Sequence, residues 1–383
     1  MIKTSLIHQL ACLVMFTALC PLLGTAAEPG QGPTNAAALS ATNAVTEKNG
    51  GMILVDRLEK PKNLPRFEPK DLAGYVLIYF KDQTQSGYLA VSKDGYTFVD
   101  LNGGQPVFDG TLLAEQKGVR DPHIARGPDG AFYVVMTDLH IFGQRAGFRT
   151  TQWQRPAEKY GWGNNRAIVM MKSWDLVHWS HADFRVDSAF PDLGDIDCSW
   201  APETVYDEKA GKMMVYFTIR YNNKECHIYY SYANDDFTKL EMTPKRVSET
   251  GGIDGDITQV GDKFHLFFAS DSKIRHAVSD SINGGYNGDT NRVDPETVAT
   301  EAPTVFKRLG TDKYVLMYDV FGARPGNMGF SETTDFTNYT NLGRFNQGVM
   351  KTVEFDRPKH GAVTYVTPNE LKAIVGYWKI DLH

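Results

Sequence analysis

Four carboxylates stand in short segments of similar build: "RDPHI" with Asp121, "WAPET" with Glu203, "IDGDI" with Asp254 and "EAPTV" with Glu301. Each holds a Pro or Gly, and about ten residues later comes an apolar run such as "FYVVMTD" or "KFHLFFASD". If each segment opens an equivalent strand, the four acids converge at one end of a common axis. Like charges gathered in one site repel, so at least one carboxyl is held neutral beside an ionised neighbour. A chain that needed only stability would not collect them. The useful chemistry of such a pair is glycosidic bond cleavage, where one group protonates the departing oxygen and the other activates water or attacks carbon.

What must position these acids is a repeated unit. An apolar strand leads to a second, alternating strand and then to a Ser/Asp turn closed by an aromatic. The copies are "YVLIYF" with "LAVSKDGYTF", "FYVVMTD" with "IVMMKSWDLVHW", "KMMVYFTIR" with "IYYSYANDDF", "KFHLFFASD" with "IRHAVSDSI", and "KYVLMYDVF" with "MGFSETTDFTNY". They start near Tyr75, Phe132, Lys212, Lys263 and Lys313, mostly about 50 to 60 residues apart. Short-stranded repeats of this period read as an all-β fold, a five-bladed β-propeller with one sheet per repeat. Ser and Asp in the closing turns bond nearby backbone groups. The unit at Tyr75 lacks a preceding acid segment, whereas "KHGAVTYVTPNEL" leaves an orphan strand beginning at His360. That strand is expected to be the innermost strand of the blade built from residues 75–98, closing the ring by pairing the two ends of the chain.

A net charge of −6 over 383 residues, with 22% charged and 42% hydrophobic residues, is ordinary globular composition. No Lys/Arg stripe offers the footprint a nucleic acid requires. Residues 1–27 read as a signal peptide: Lys3 precedes an apolar stretch from Leu10 to Gly24, which Pro21 interrupts and which is short for a membrane span. The protein is therefore expected to be exported, periplasmic or extracellular, and bulky Leu19 disfavours lipid anchoring at Cys20. Residues 28–60, rich in Ala, Gly, Thr and Asn in their first part, read as a flexible tether before a propeller domain over 61–383. Cys198 and Cys226 remain in the mature chain and export would allow them to pair. No CxxC or HxxxH spacing suggests a metal centre.

The segments "VRDPHI", "WAPETVYD", "IDGDI", "EAPTVFK" and "KHGAV", in this order with these blade turns, resemble glycoside hydrolase family 43 over roughly residues 70–370. That family holds arabinofuranosidases, arabinanases and β-xylosidases on a five-bladed propeller. The resemblance implies an inverting hydrolase with Asp121 as general base, Asp254 as the aspartate that tunes and orients the acid, and Glu301 as general acid. Inversion calls for base and acid carboxyls about 6.5–9.5 Å apart, leaving room for water. Two departures stand out: Asp256 in "IDGDI" competes with Asp254, and Ala302 replaces the family's usual Gly. The best single expectation is an α-L-arabinofuranosidase releasing pentoses from plant polysaccharides. β-Xylosidase and endo-arabinanase follow.

Around the catalytic set, Arg120 is expected to keep Asp121 ionised, and His123, Trp200, Glu203 and His360 are candidates for contacting a sugar. His123 also reads as a satisfied buried histidine and Trp200 as a wedge between blades. In the resembling family the histidine at His360 sometimes holds an ion through waters; otherwise no cofactor or metal is implied. The insertion "GQRAGFRTTQWQRPAEKYGWGNNR" carries Trp153, Trp162 and Arg166 and could wall the pocket or be a surface excursion. Trp174 and Trp179 read as blade packing. A retaining fructosidase would need an "NDPNG"-like nucleophile segment, absent before residue 120. A non-catalytic carbohydrate-binding propeller would be signalled by loss of an acid or base, and both are in place. A partner is expected only as oligo- or polysaccharide substrate, with no nucleic acid and no membrane span.

Overall fold

The computed structural model describes residues 51–62, 68–289 and 291–382. The segment expected to be a signal peptide and most of the expected tether lie outside them. The described chain forms five sheets, each a blade of four antiparallel strands about one axis, two of them with an added parallel edge strand. The innermost strands are Val119–Arg126, Ile196–Asp207, Ile253–Val260, Glu301–Lys307 and Lys359–Val366. The last of these pairs with Gly74–Lys81, Ile78 opposite Ala362, so the C-terminal strand completes the first blade and closes the ring.

Strand alternation decides how the blades adhere. In the first blade Val76 and Ile78 face one neighbour and join a core with Ile124, Val134, Met136 and Val169 of the second blade. Tyr75, Leu77 and Tyr79 point the other way and pack with Phe306, Val315 and Met317 of the fifth. The same alternation produces separate cores between the second and third, third and fourth, and fourth and fifth blades. Both faces of every blade are thus buried, which explains the near-continuous apolar runs. The closing turns follow the expected chemistry: Asp94 accepts from the amides of Tyr96 and Thr97, Asp175 from Val177 and His178, and Asp335 from Thr337 and Asn338. Trp179 is buried edge-on against Phe108, as a blade-packing residue should be.

One expectation needs correction, and two further features stand beside it. The tether does not run to residue 60: Ile53–Leu54 adds a parallel strand to the outer edge of the second blade, opposite His178 and Trp179, and Met52 and Leu54 pack on its core. Their apolar side chains explain why this part of the segment docks. The C-terminus, beyond its strand, forms a helix over Pro368–Trp378 with a capping box between Thr367 and Glu370, and Leu371, Ile374 and Trp378 seal the first core. Finally, Cys198 and Cys226 both lie opposite Arg220, on the two strands that flank its own. Two strand spacings of about 4.8 Å each separate them, beyond disulfide reach, so they do not pair with each other.

Candidate active site

Every innermost strand breaks register near its start. The shifts fall between Arg120 and His123, Trp200 and Glu203, Ile253 and Asp256, Glu301 and Thr304, and Lys359 and Gly361. At each bulge a non-glycine residue takes positive φ: Asp121 49°, Ala201 43°, Asp254 53°, Ala302 54° and His360 31°. Such bulges re-aim side chains, and the strain they carry collects at functional sites. Four segments therefore share one frame, R-D-P-H, W-A-P-E, I-D-G-D and E-A-P-T, with the bulge at the second residue. The family's glycine suits that position because it adopts positive φ freely; Ala302 takes the same conformation here.

The frame sorts the acids into layers. Glu301 stands just before its bulge with Arg120, Trp200 and Lys359, while Asp121, Asp254 and His360 are bulge residues. Glu203 does not open its strand; it is the residue after the bulge, one layer deeper with His123 and Asp256. Glu203 is 1% exposed and accepts a hydrogen bond from Tyr216 Oη at 3.0 Å. It also shares a hydrogen bond with Asp256, and burial followed by the charge of Asp256 pushes its pKa well up. Its place among pocket-lining residues is not supported. His123 is buried in the same layer, its Nδ1 accepting from the amide of Thr204, and burial depresses it to about 3, so it is neutral. The buried-histidine reading fits it best.

In the upper layers the charges are divided. Asp121 accepts a hydrogen bond from Thr137 Oγ1 at 2.9 Å and lies 3.4 Å from His360 Nδ1. Burial would raise its pKa, but the hydrogen bond and charge of His360, then Arg120 and Thr137, prevail and hold it at about 2. Burial opposes protonation of His360, yet Asp121, Asp254 and Glu301 raise its pKa. Arg120 lies over Phe80 at 4.5 Å and donates to Asp82 at 2.6 Å, placing its charge beside Asp121. Burial, with Asp121 against His360, brings Asp254 up to about 6; its carboxylate accepts from the amide of Ala302. Asp256, at about 7 through burial, bonds Thr304 below this level. Of the two aspartates, Asp254 is the one beside Glu301.

Glu301 is the counterpart of Asp121. Its side chain keeps 31% exposure in the open funnel, yet burial is the largest influence and, with Asp319, Asp254 and Asp121, pushes it up to about 8 against the opposing charge of Lys359. Lys359 Nζ lies 3.4 Å from Asp319, 3.6 Å from Asp82 and 4.0 Å from Glu301. Asp82, Asp319 and Lys359 were not singled out from sequence. A signal existed, since Asp82 directly follows the apolar run "YVLIYFK" and Asp319 is the last residue but one of "YVLMYDV", where a strand returns to the mouth. An ionised aspartate and a protonated glutamate at one mouth can do acid–base chemistry on a bond held between them.

The insertion forms part of the rim. Arg155 donates to the carbonyls of Ile196 and Asp197, and Asn165 bonds Ser199, pinning the loop to the third blade. Trp153, Trp162 and Trp200 meet edge-on in series, with Trp162 49% exposed. Arg220 covers one face of Trp200 at 4.5 Å, and the indole donates to Gly163, leaving at most its other face to stack. Arg166 pairs with Glu115 and Asp187 instead of lining the funnel. A larger cavity, about 690 Å³, lies between the second and third blades at the far ends of their innermost strands, lined by Trp174, Tyr133 and Tyr206 and away from the acids. Among the described residues, His123, Glu203 and Asp256 form the set close enough to share a cation, not a group around His360. The hydrogen bonding of Glu203 and Asp256 to each other and to Tyr216 and Thr304 gives that set an internal partner.

A five-bladed propeller with this acidic mouth has the architecture of a glycoside hydrolase. Residues 70–372 match the family described as "Probable glycosyl hydrolase domain", related to glycoside hydrolase family 43, and the chain belongs to it. The endo-1,4-β-xylanase of Bacteroides thetaiotaomicron is similar in fold, with TM-score 0.52 and 10% identity over 73% of this chain and 93% of that one. An α-L-arabinanase of Cellvibrio cellulosa, solved with arabinohexaose, aligns at TM-score 0.45 and 13% identity over 68% and 88%. The xylan β-1,4-xylosidase of Bacillus halodurans aligns at 0.48 and 13% over 75% and 55%. No curated protein matches. No helix of the described residues is long and apolar enough to cross a membrane.

Proposed function

We propose that this glycoside hydrolase inverts the anomeric centre and releases pentose residues from plant polysaccharides after export, with α-L-arabinofuranoside as the first substrate to test. Asp121 is the base that takes a proton from water, Glu301 the acid that gives one to the departing oxygen, and Asp254 the group that keeps Glu301 protonated. The observation that carries this reading is the division of charge at one mouth: Asp121 held at about 2 and Glu301 at about 8. His360 and Thr137 hold the Asp121 carboxylate in place for the water it activates. The acid and base need no cofactor to complete the step. The family and the substrates of the xylanase and arabinanase of similar fold support a pentose polymer.

The test is hydrolysis of aryl α-L-arabinofuranoside against aryl β-D-xyloside, with the anomer of the released sugar followed by NMR. Inverted product from either sugar supports the assignment and names the glycon. Retained product removes Asp121 as base. Cleavage of β-D-xyloside alone would make the protein a β-xylosidase, and activity confined to internal arabinan bonds an endo-arabinanase.

A further inference from the structure

Beside Glu301 a cavity of about 260 Å³ runs outward between the third, fourth and fifth blades. Glu225, Gly252, Ser270, Asp271 and Phe321 line it together with Glu301. Neither Asp121 nor Asp254 reaches it. At about 30 Å³ per water it has room for a sugar ring.

We propose that this cavity receives the leaving group, and that it selects an uncharged, hydroxyl-rich sugar. The inference rests on Glu301 being the proton donor. The oxygen it protonates must depart into space that Glu301 reaches and the base does not, and this cavity meets both conditions. Its lining decides the chemistry of the occupant. Glu225, Asp271 and Glu301 supply carboxyls and Ser270, Ser272 and Thr300 hydroxyls, while no Lys, Arg or His is among the lining residues. Sugar hydroxyls donate well to such a surface, whereas a uronate, sulfate or phosphate would meet acids with no cation in the lining, the ammonium 4.0 Å from Glu301 being already paired with Asp319 and Asp82. Phe321 offers an apolar surface to the C–H face of a ring.

The experiment compares kcat/KM for a neutral pentose-terminated oligosaccharide with that for the aryl pentoside of the same glycon. The variants are Phe321→Ala, Glu225→Ala and Ser270→Trp, the last chosen to fill the cavity. The expected result is an oligosaccharide-to-aryl ratio lowered by about tenfold or more, the size of a lost ring contact. Wild type should also cleave the neutral oligosaccharide at least about tenfold better than one whose leaving sugar carries a uronate. An unchanged ratio, equal loss on both substrates, or preference for the uronate would overturn the assignment. Should Ser270→Trp fail to fold, the two truncations carry the test. Wild type that cleaves neither substrate would instead sink the hydrolase reading on which the inference rests.

Discussion

Glu301 and Asp319 are direct partners on adjacent antiparallel strands, and the ammonium of Lys359 lies 4.0 Å from one and 3.4 Å from the other. Asp319 is wholly buried, and the Lys359 ammonium is the cation paired with it. The acid therefore sits between a buried carboxyl and a cation that acts against it. Asp319→Asn removes a neighbour that raises the Glu301 pKa, so the alkaline limb of the kcat/KM profile, expected near 8, should move to lower pH. Lys359→Met removes the opposing charge and should move that limb to higher pH. Rate losses with an unmoved limb in both variants would show that the trio is only structural.

The two central acids should respond differently to the leaving group. On an unactivated oligosaccharide, Glu301→Gln and Asp121→Asn are each expected to cost about 10²–10⁴ in kcat. With an aryl leaving group of low pKa, protonation matters little, so Glu301→Gln should recover much of the loss. Asp121→Asn should not, because water must still be activated. A series of aryl glycosides measures this directly, and equal recovery in both variants would remove the distinction.

Glu301 also ties stability to pH. Its folded-state value of about 8 lies above that of an unfolded glutamate, about 4.3, so between these the folded chain holds a proton the unfolded chain lacks. This contribution weakens as pH rises through that window. Glu301→Gln needs no such proton, so its Tm advantage over wild type should widen from about pH 5 to about pH 8. A gap that stays constant with pH would contradict the raised value.

Ring closure has its own clasp. Arg126, on an innermost strand, makes a bidentate pair with Glu370 at 2.6 and 2.7 Å, and Glu370 also completes the cap of the C-terminal helix. Glu370→Ala is expected to lower stability by about 1–3 kcal/mol, and Thr367→Ala by about 1 kcal/mol. Denaturant titration of both variants checks the order, and a larger loss for Thr367→Ala would show that the ion pair contributes little.

Much of the site was legible because each acid lies in a repeat whose strands are unmistakable. The helix at residue 368 was missed although "TPNE" is a capping box, since the eye follows the strand that precedes it. Glu203 was misplaced for a deeper reason. In "WAPE" the acid is the fourth residue of the frame, in "RDPH" the second and in "EAPT" the first. Proximity to a proline hides that difference, and only the bulge reveals it.

Repeat period, alternation and turn chemistry are local, so the sequence alone determined a five-bladed ring, its closure by the strand after Lys359, and the end of the axis where the acids gather. Layer and charge are not local. Asp121 and Glu301 are both carboxyls at strand entrances, and nothing in their own segments says that one is ionised and the other protonated. His360 and Lys359 decide that from another blade, and Thr137 and Asp319 from the adjacent strand of each acid's own blade, through distances of a few ångströms that exist only once the ring has closed. The tertiary structure makes the choice because a carboxyl's proton affinity depends on burial and on the charges around it, and those neighbours come from remote parts of the chain.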